Sequence, residues 1–165
     1  MSNLTNNFNL LSNVGFKLVI NSHEFANTEF FVVSASLPSV SINEAPAPFR
    51  NQSGFVPGEK MEFDTFNVRV AIDEDFASYT EIFNWIHSHT NQNDLKVADI
   101  SLIVMTSHNN ANKTFTFINA FPTNIGSVEF NAQAQDVEYA YVDVTFRYDY
   151  FKISDAAGDS LAGFC

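Results

Sequence analysis

The sequence predicts a mainly β protein: an antiparallel β-sandwich or flattened barrel with one inserted α-helix and an extended hairpin-like arm. Segments in which apolar and polar residues alternate recur along the 165-residue chain, as expected of strands with one buried face. Phe accounts for 18 residues, and this side chain favours strands and fills β cores. A single segment has helical spacing instead. The length suits one domain, so we expect residues 1–165 to form a single domain.

Two strands are predicted near the N-terminus. The segment VGFKLVIN, residues 14–21, places Phe16, Leu18 and Ile20 on one face. The segment TEFFVVSASL, residues 28–37, is mostly apolar on both faces, and SVSINEA, residues 39–45, is a candidate third strand.

Residues 44–60 are predicted to form an extended arm. The segment EAPAPFRNQSGFVPGEK holds three of the five prolines and two glycines, and it is too long and too interrupted for a tight hairpin. We therefore expect two strand arms around a flexible tip at Asn51–Gly54.

The segment MEFDTFNVRVAID, residues 61–73, is predicted to be one long strand. Its alternation is regular and assigns two faces. The apolar face comprises Phe66, Val68, Val70 and Ile72, and the other comprises Thr65, Asn67, Arg69 and Asp73.

A helix is predicted from Phe76 to about His89. The carboxylates of Asp73–Asp75 suit a helix start because they accept from free N–H groups and oppose the positive end of the dipole. The predicted apolar stripe consists of Phe76, Tyr79, Phe83 and Ile86, with Ile82 beside it. Trp85 lies off this stripe, so it either widens the core contact or meets a neighbouring subunit.

The C-terminal half is predicted to contain four strands. Their segments are VADISLIVMT (97–106), TFTFINAF (114–121), SVEFNAQ (127–133) and YAYVDVTFRYDYFKI (139–153). Between the second and third, Pro122 removes a ladder donor and Gly126 permits a positive φ. We expect residues 1–12 and 153–165 to be flexible termini.

Charge and cysteine content exclude several classes of protein. The formal charge of −11 disfavours tight binding of nucleic acid, although it is compatible with a channel through which DNA slides. The only cysteine is Cys165, so no internal disulfide and no cysteine metal site is expected. The sequence shows neither a signal peptide nor an apolar stretch of about 20 residues.

The sequence contains no motif that supports an enzymatic function. The GDSL segment, residues 158–161, matches the motif of a lipase and esterase family whose nucleophile is the serine, here Ser160. No histidine follows an aspartate at the spacing of that family, and a serine needs such a base, so we interpret the match as chance. His87 and His89 are two apart on the predicted helix and cannot share a metal ion. We predict no enzyme activity, no cofactor and no metal.

The order of the elements resembles the tail tube proteins of contractile-tailed bacteriophages. The resemblance covers about residues 13–152: NVGFKLVI, then SLPSV, an arm ending in PGEKMEFDTFNVRVAIDED, a helix with FNWI, and AFPTNIGSVEFNAQAQDVEYAYVDVTFRYDYF. The same fold recurs in baseplate tube initiators, in some tail terminators and in the secreted ring protein of type VI secretion.

This resemblance implies a structural virion protein. Six copies would form a ring around a channel, and rings would stack into the inner tail tube through which the genome passes without tight binding. The implied partners are further copies of the chain, a tail sheath, a tape-measure protein and baseplate or neck proteins, with no membrane. The implied location is the virion tail, assembled in the host bacterial cytoplasm. Two alternatives stay open: an initiator or terminator ring of the same fold, and a soluble β-sandwich binding module.

Within that framework the sequence offers two sets of candidate residues. Polar strand faces would line a wet channel, and a net acidic lumen would let DNA pass without binding. The lumen-facing candidates are Asn67, Arg69, Asp143, Thr145 and Arg147. The arm is the candidate for subunit or ring contact, with Phe49 and Phe55 as anchors. The full contact set is Phe49, Arg50, Phe55, Glu59, Lys60 and Trp85.

Overall fold

The computed structural model describes residues 10–11, 13–21, 31–49, 51–90, 95–130 and 139–155. Within these ranges the chain forms nine strands and one helix. In chain order they are β1 (Phe16–Ile20), β2 (Val32–Ser36), β3 (Val40–Phe49), β4 (Gln52–Phe63), β5 (Phe66–Ala71), α1 (Ala77–Ser88), β6 (Ala98–Met105), β7 (Ala111–Ile125), β8 (Tyr141–Arg147) and β9 (Tyr150–Asp155).

The strand β7 links two antiparallel sheets. Its first part pairs with β6 and β9, and β6 pairs in turn with β1. Its last part, from Phe121 to Ile125, pairs with β8, which continues through β5 to β2. We call these the first sheet and the second sheet. The predicted class, mainly β with antiparallel sheets and one inserted helix, is confirmed.

The core lies where the two sheets and the helix face one another. Phe117 of the first sheet stacks on Phe66 of the second, with 4.3 Å between ring centroids. Trp85 of the helix contacts Phe146 of the second sheet at 5.9 Å. The apolar faces predicted for β1 and β5 are confirmed in the core, and alternate residues of β6 and β8 complete it. These core residues are Leu18, Ile20, Phe66, Val68, Val70, Ile100, Leu102, Val142, Val144 and Phe146.

The arm is a two-stranded hairpin, longer and tighter than predicted. Strands β3 and β4 pair from Val40↔Phe63 to Phe49↔Gln52, so only two residues connect them. The expectation that this segment excludes a tight hairpin was wrong, as was the flexible tip at Asn51–Gly54, since residues 52–54 belong to β4. Prolines are tolerated because each strand of an isolated pair has a free edge that needs no N–H donor.

Residues 61–73 do not form one strand. The chain breaks at Asp64, whose N–H donates to the carbonyl of Ser39 at 3.1 Å and whose carboxylate accepts from the N–H of Thr65 at 2.7 Å. This local hydrogen bonding competes with the strand ladder. It separates the arm from β5, which enters the second sheet.

The predicted acidic helix start is confirmed at Asp73. Its carboxylate accepts from the N–H groups of Ala77 and Ser78, both at 3.1 Å, and from the Ser78 hydroxyl at 2.9 Å. Partial desolvation acts to raise the pKa of Asp73, but these hydrogen bonds outweigh it and hold the pKa below its usual value. The side chain therefore satisfies helix N–H groups that have no partner within the helix.

We expect the Asp73 cap to make stability depend on acid pH. Because the pKa is lowered on folding, the contribution is present above the unfolded pKa, about 3.9, and is lost as pH falls through the folded pKa. Thermal unfolding of wild type and of Asp73→Ala should show a lower midpoint for the variant at pH 7. The difference between the two midpoint temperatures should decrease as the pH is lowered toward 2. A gap that stays constant over this range would contradict the role of the ionised carboxylate.

The buried face of the helix differs from the predicted stripe. It is formed by Ser78, Ile82 and Trp85, at i, i+4 and i+7. Phe83, placed in the stripe, is 51% exposed, whereas Trp85 is 1% exposed. The indole N–H of Trp85 donates to the carbonyl of Lys96 at 2.8 Å, so this large side chain satisfies its polar atom while buried. Of the two alternatives for Trp85, the structure supports the core contact.

The change of sheet in β7 occurs between Ala120, which still pairs with β6, and Phe121, which pairs with β8; Asn119 lies directly before this corner, and Gly126 lies beyond it. Asn119 has φ 54°, its N–H donates to the carboxylate of Asp99 at 3.0 Å, and its side-chain amide donates to Asp149 at 2.7 Å. Gly126 lies outside the left-handed region, so the positive φ expected there was wrong. A Cβ on Gly126 would lie 3.1 Å from the carbonyl oxygen of Asp143, and close backbone approach explains the glycine.

Asn119 allows a test of this corner. Asn119→Gly loses the amide hydrogen bond but keeps the positive φ, whereas Asn119→Val also forces a β-branched residue into a left-handed conformation. We expect the free energy of unfolding, measured by urea titration, to be lower for Asn119→Val than for Asn119→Gly by about 1–2 kcal/mol. Equal stability of the two variants would show that the backbone relaxes at this corner.

The C-terminal strands also differ from the prediction. Residues 139–153 form β8 and β9, which belong to different sheets, rather than one strand. Strand β9 extends to Asp155, which pairs with Lys113, so residues 153–155 are not a flexible tail. Residues 127–130 are not a strand, and 131–133 lie outside the described residues, as do residues 1–9, 12 and 156–165 of the predicted flexible termini.

Candidate functional site: the polar face of the second sheet

The second sheet has one buried face and one polar face. In β5 and β8 every second side chain enters the core, and the residues between them are exposed or half-exposed. The structure brings all five lumen-facing candidates onto this polar face. They are Asn67 and Arg69 of β5, and Asp143, Thr145 and Arg147 of β8.

The polar face is linked across the strands by hydrogen bonds. Arg69 lies opposite Asp143, and its guanidinium donates to both carboxylate oxygens at 2.8 and 3.1 Å. Asn67 lies opposite Thr145, whose hydroxyl donates to the Asn67 amide oxygen at 3.0 Å. Such directly opposed pairs stabilise the pairing of the two strands. The surface is therefore polar with its side chains held in place.

The polar face is not acidic. In β2, β5 and β8 its charged residues are Arg69, Arg147 and Asp143, which leave one net positive charge. The hydrogen bond to Asp143, and then the attraction of its charge, raise the pKa of Arg69, so the guanidinium stays ionised beside the carboxylate. In these described strands the polar face therefore carries no excess of negative charge.

Sequence reasoning missed other members of this face. Ser34 and Ser36 of β2 lie opposite Arg69 and Asn67 and are exposed. The Thr123 hydroxyl of β7 donates to the carbonyl of Thr145 at 3.1 Å. Alternation pointed to Ser34 and Ser36 only weakly, because β2 also has an exposed Val33, 48% accessible. Nothing in the local sequence places Thr123 next to β8.

The candidate contact residues of the arm are placed only in part. Phe55 is 64% exposed and lies opposite Pro46, and Glu59 and Lys60 are exposed on β4. Phe49 ends β3, and Arg50 lies outside the described residues. Trp85 is buried in the subunit core and therefore is not a surface contact in the subunit. The arm adds exposed apolar residues that the sequence analysis did not single out: Val40, Ile42, Val56 and Met61.

The described residues contain neither a candidate metal cluster nor a helix long and apolar enough to cross a membrane. His87 stacks on Phe83 with 6.3 Å between ring centroids, whereas the ring of His89 contacts Phe121 at 5.6 Å. The two histidines thus point to different neighbours. Ser160 of the GDSL segment lies outside the described residues.

Comparison with known proteins identifies a family. A family model described as T4-like virus tail tube protein gp19 matches residues 13–152. No curated protein matches the chain in sequence.

Three solved structures have a similar fold. A chain of the PVC sheath–tube complex, an extracellular contractile injection system in the extended state, gives a TM-score of 0.70 at 19% identity, covering 89% of this chain and 93% of that chain. The PVC sheath/tube terminator gives 0.71 at 19% identity, covering 91% and 99%. Hcp1 from Flavobacterium johnsoniae gives 0.52 at 16% identity, covering 90% and 98%.

Proposed function

The chain belongs to the T4-like virus tail tube protein family, and on this premise we propose that it assembles into hexameric rings that stack into the inner tube of a contractile tail. The protein is then a structural component of that tail. The family and the fold are those of structural tube proteins.

The observation that carries the proposal is the polar face of the second sheet. A ring closed from such sheets places one face toward the protein core and the other toward a wet channel. Among the described strands, β2 and the last part of β7 stand at the two edges of this sheet, which leaves unpaired backbone groups there. Pairing one edge with the opposite edge of the next copy is a head-to-tail contact that closes into a ring and removes both edges.

The charge of this face suits passage without tight binding. The arginine of the Arg69–Asp143 pair is already neutralised, so among the described strands of this polar face only Arg147 offers an unneutralised cation to a phosphate. Non-specific DNA binding needs several phosphate contacts to become strong. We propose that the genome slides past this face, which on this view is close to neutral rather than acidic.

The arm supports a role in contacts between copies. Its hairpin carries exposed apolar side chains on a ribbon that pairs with no other described strand. Isolated two-stranded ribbons are marginal in water and gain stability from packing. We propose that the arm, with Phe49, Arg50, Phe55, Glu59 and Lys60, packs on a neighbouring subunit or ring, and that residues 1–165 form one domain from which it extends.

The proposed partners follow from the assemblies to which the similar solved structures belong. These include a sheath–tube complex, a sheath/tube terminator, a tube-terminating cap and a baseplate. We propose a sheath outside the tube, baseplate and neck proteins at its ends and a tape-measure protein inside it, with assembly in the host cytoplasm.

Negative-stain electron microscopy of the purified protein over a concentration series tests the proposal. We expect long hollow tubes that lengthen with concentration. Six-fold rings that never stack would favour an initiator or terminator ring, and a monomer at every concentration would contradict self-assembly.

The direction of the polar face is tested by gold labelling of a single cysteine in a Cys165→Ser background. Maleimide gold on Asn67→Cys should appear on the tube axis, whereas gold on Asn84→Cys, an exposed helix position, should not. Label from Asn67→Cys on the outer wall would overturn the assignment of this face to the channel.

A further inference from the structure

A second feature of the molecule is an open apolar cavity of about 530 Å³ at the C-terminal end of α1. We call it the helix-end pocket. Its volume falls in the usual range of binding pockets, about 300–1,000 Å³. The principal lining residues are Ile86, His89, Leu95, Val97, Phe121 and Pro122.

The rim of the helix-end pocket exposes large apolar side chains. Leu95 is 71% exposed and Val97 is 51% exposed. The backbone that carries them is held by the hydrogen bond from the Trp85 indole to the Lys96 carbonyl, 2.8 Å long. Since Trp85 is fixed in the core, the rim is a built part of the fold. Covering its apolar surface with a partner lowers the free energy of the system.

One side chain that lines the helix-end pocket has a buried polar atom with no hydrogen-bond partner among the described residues. This atom is Nε2 of His89. Buried polar atoms are nearly always hydrogen-bonded, so such an atom beside a pocket indicates an occupant that brings a polar group. An apolar side chain next to a peptide backbone would fit both the lining and this nitrogen.

The complementary surface lies at the N-terminal segment. Leu10 is 95% exposed, Leu11 is 65% exposed and Val14 is 82% exposed. Residues 10–15 include no charged side chain, so they can enter an apolar pocket without burying a charge.

The two features lie at opposite ends of one strand. Val97 directly precedes β6, whereas Gly15 lies at the other end, where its carbonyl accepts from the N–H of Met105 at 2.9 Å. Eight residues of strand span about 26 Å. From Gly15, the five residues back to Leu10 reach at most about 18 Å. The leucines thus fall short of the pocket of their own subunit.

We propose that the helix-end pocket of one copy binds Leu10 and Leu11 of the next copy, with a backbone group of that segment meeting Nε2 of His89. The contact is head to tail, and repetition of such a contact without closure builds an open stack. This inference rests on the proposed stacking into a tube and names one contact that holds the stack together.

Cysteine cross-linking tests the contact in a Cys165→Ser background. Leu10→Cys combined with Leu95→Cys should give, on oxidation of the assembled protein, a ladder of covalent multimers on a non-reducing gel, since a disulfide needs Cα atoms within about 7 Å. Leu10→Cys alone should give no multimer beyond a dimer. Phe55→Cys combined with Leu95→Cys asks whether the arm occupies the pocket instead.

An independent variant is Leu10→Glu combined with Leu11→Glu, in which both positions are exposed and the subunit fold is expected to persist. It should raise the critical concentration for tube formation at least about tenfold. Wild-type tubes without a Leu10–Leu95 ladder, or a ladder from the Phe55 pair instead, would overturn this inference and leave the tube proposal standing. A wild-type protein that forms no stacked assembly would defeat both.

Discussion

Phe117→Ala is expected to lower the free energy of unfolding by about 3–5 kcal/mol, the largest effect of any single core substitution considered in this subunit. The ring is fully buried and joins the two sheets. It stacks on Phe66 of the second sheet at 4.3 Å and contacts Phe151 of the first sheet at 5.6 Å. Its third neighbour is Tyr148, at 4.9 Å. Truncation therefore opens a cavity between the sheets, which cannot collapse without moving both.

Tyr148 limits how far this site can relax. Its hydroxyl donates to the carbonyl of Asp64 at 2.8 Å, and burial, with the nearby charge of Asp64 in second place, raises the pKa of Tyr148 to about 12. The phenol thus stays protonated and keeps its hydrogen bond over the whole range in which the protein would be studied. A fixed Tyr148 cannot swing into the space left by Phe117.

Urea unfolding followed by circular dichroism measures this effect, with Phe83→Ala as the matched control. Phe83 is 51% exposed on the helix, and its truncation should change the free energy of unfolding by less than about 1 kcal/mol. Equal losses for the two variants would contradict the assignment of Phe117 to the junction of the sheets.

The sequence predicted those parts of the fold in which a local period decides which face is buried. Strand β5 is an example: its alternating Val68 and Asn67 identify the core face and the polar face without any knowledge of their partners. The same rule placed Asp143 and Thr145 on the polar face of β8. The alternation did not reveal that β5 and β8 are adjacent, since strand pairing depends on residues distant in sequence.

The errors occurred where a non-local contact overrides the local pattern. Regular alternation continues through Asp64 and again through Tyr148, yet the chain changes partners at both positions. In the helix, Phe76 and Phe83 fit an apolar stripe, but the bond from Trp85 to Lys96 turns another face inward. The helix-end pocket could not be predicted because its walls come from α1, β7 and the segment before β6.

The second large effect is expected for the arm, from Gly58→Ala. A Cβ at Gly58 would lie 2.3 Å from the carbonyl oxygen of Asn43 and 3.0 Å from its carbonyl carbon. Both are backbone atoms of the opposite strand, at the point where the register between β3 and β4 shifts. The ribbon must therefore deform, whereas the core shared by the two sheets contains neither residue. We expect the free energy of unfolding, measured in urea, to change by less than about 0.5 kcal/mol, as for surface sites, whereas assembly should fail.

Electron microscopy and sedimentation over a concentration series measure this separation of folding from assembly. If the arm packs on the neighbouring copy, Gly58→Ala should raise the critical concentration for tubes at least about tenfold, which corresponds to a loss of about 1.4 kcal/mol per contact. Ser53→Ala is the matched control, because this exposed residue lies on the same strand and its truncation leaves the ribbon intact. Normal tubes from Gly58→Ala would exclude the arm from the contacts between copies, and the edges of the second sheet and the helix-end pocket would then have to account for assembly.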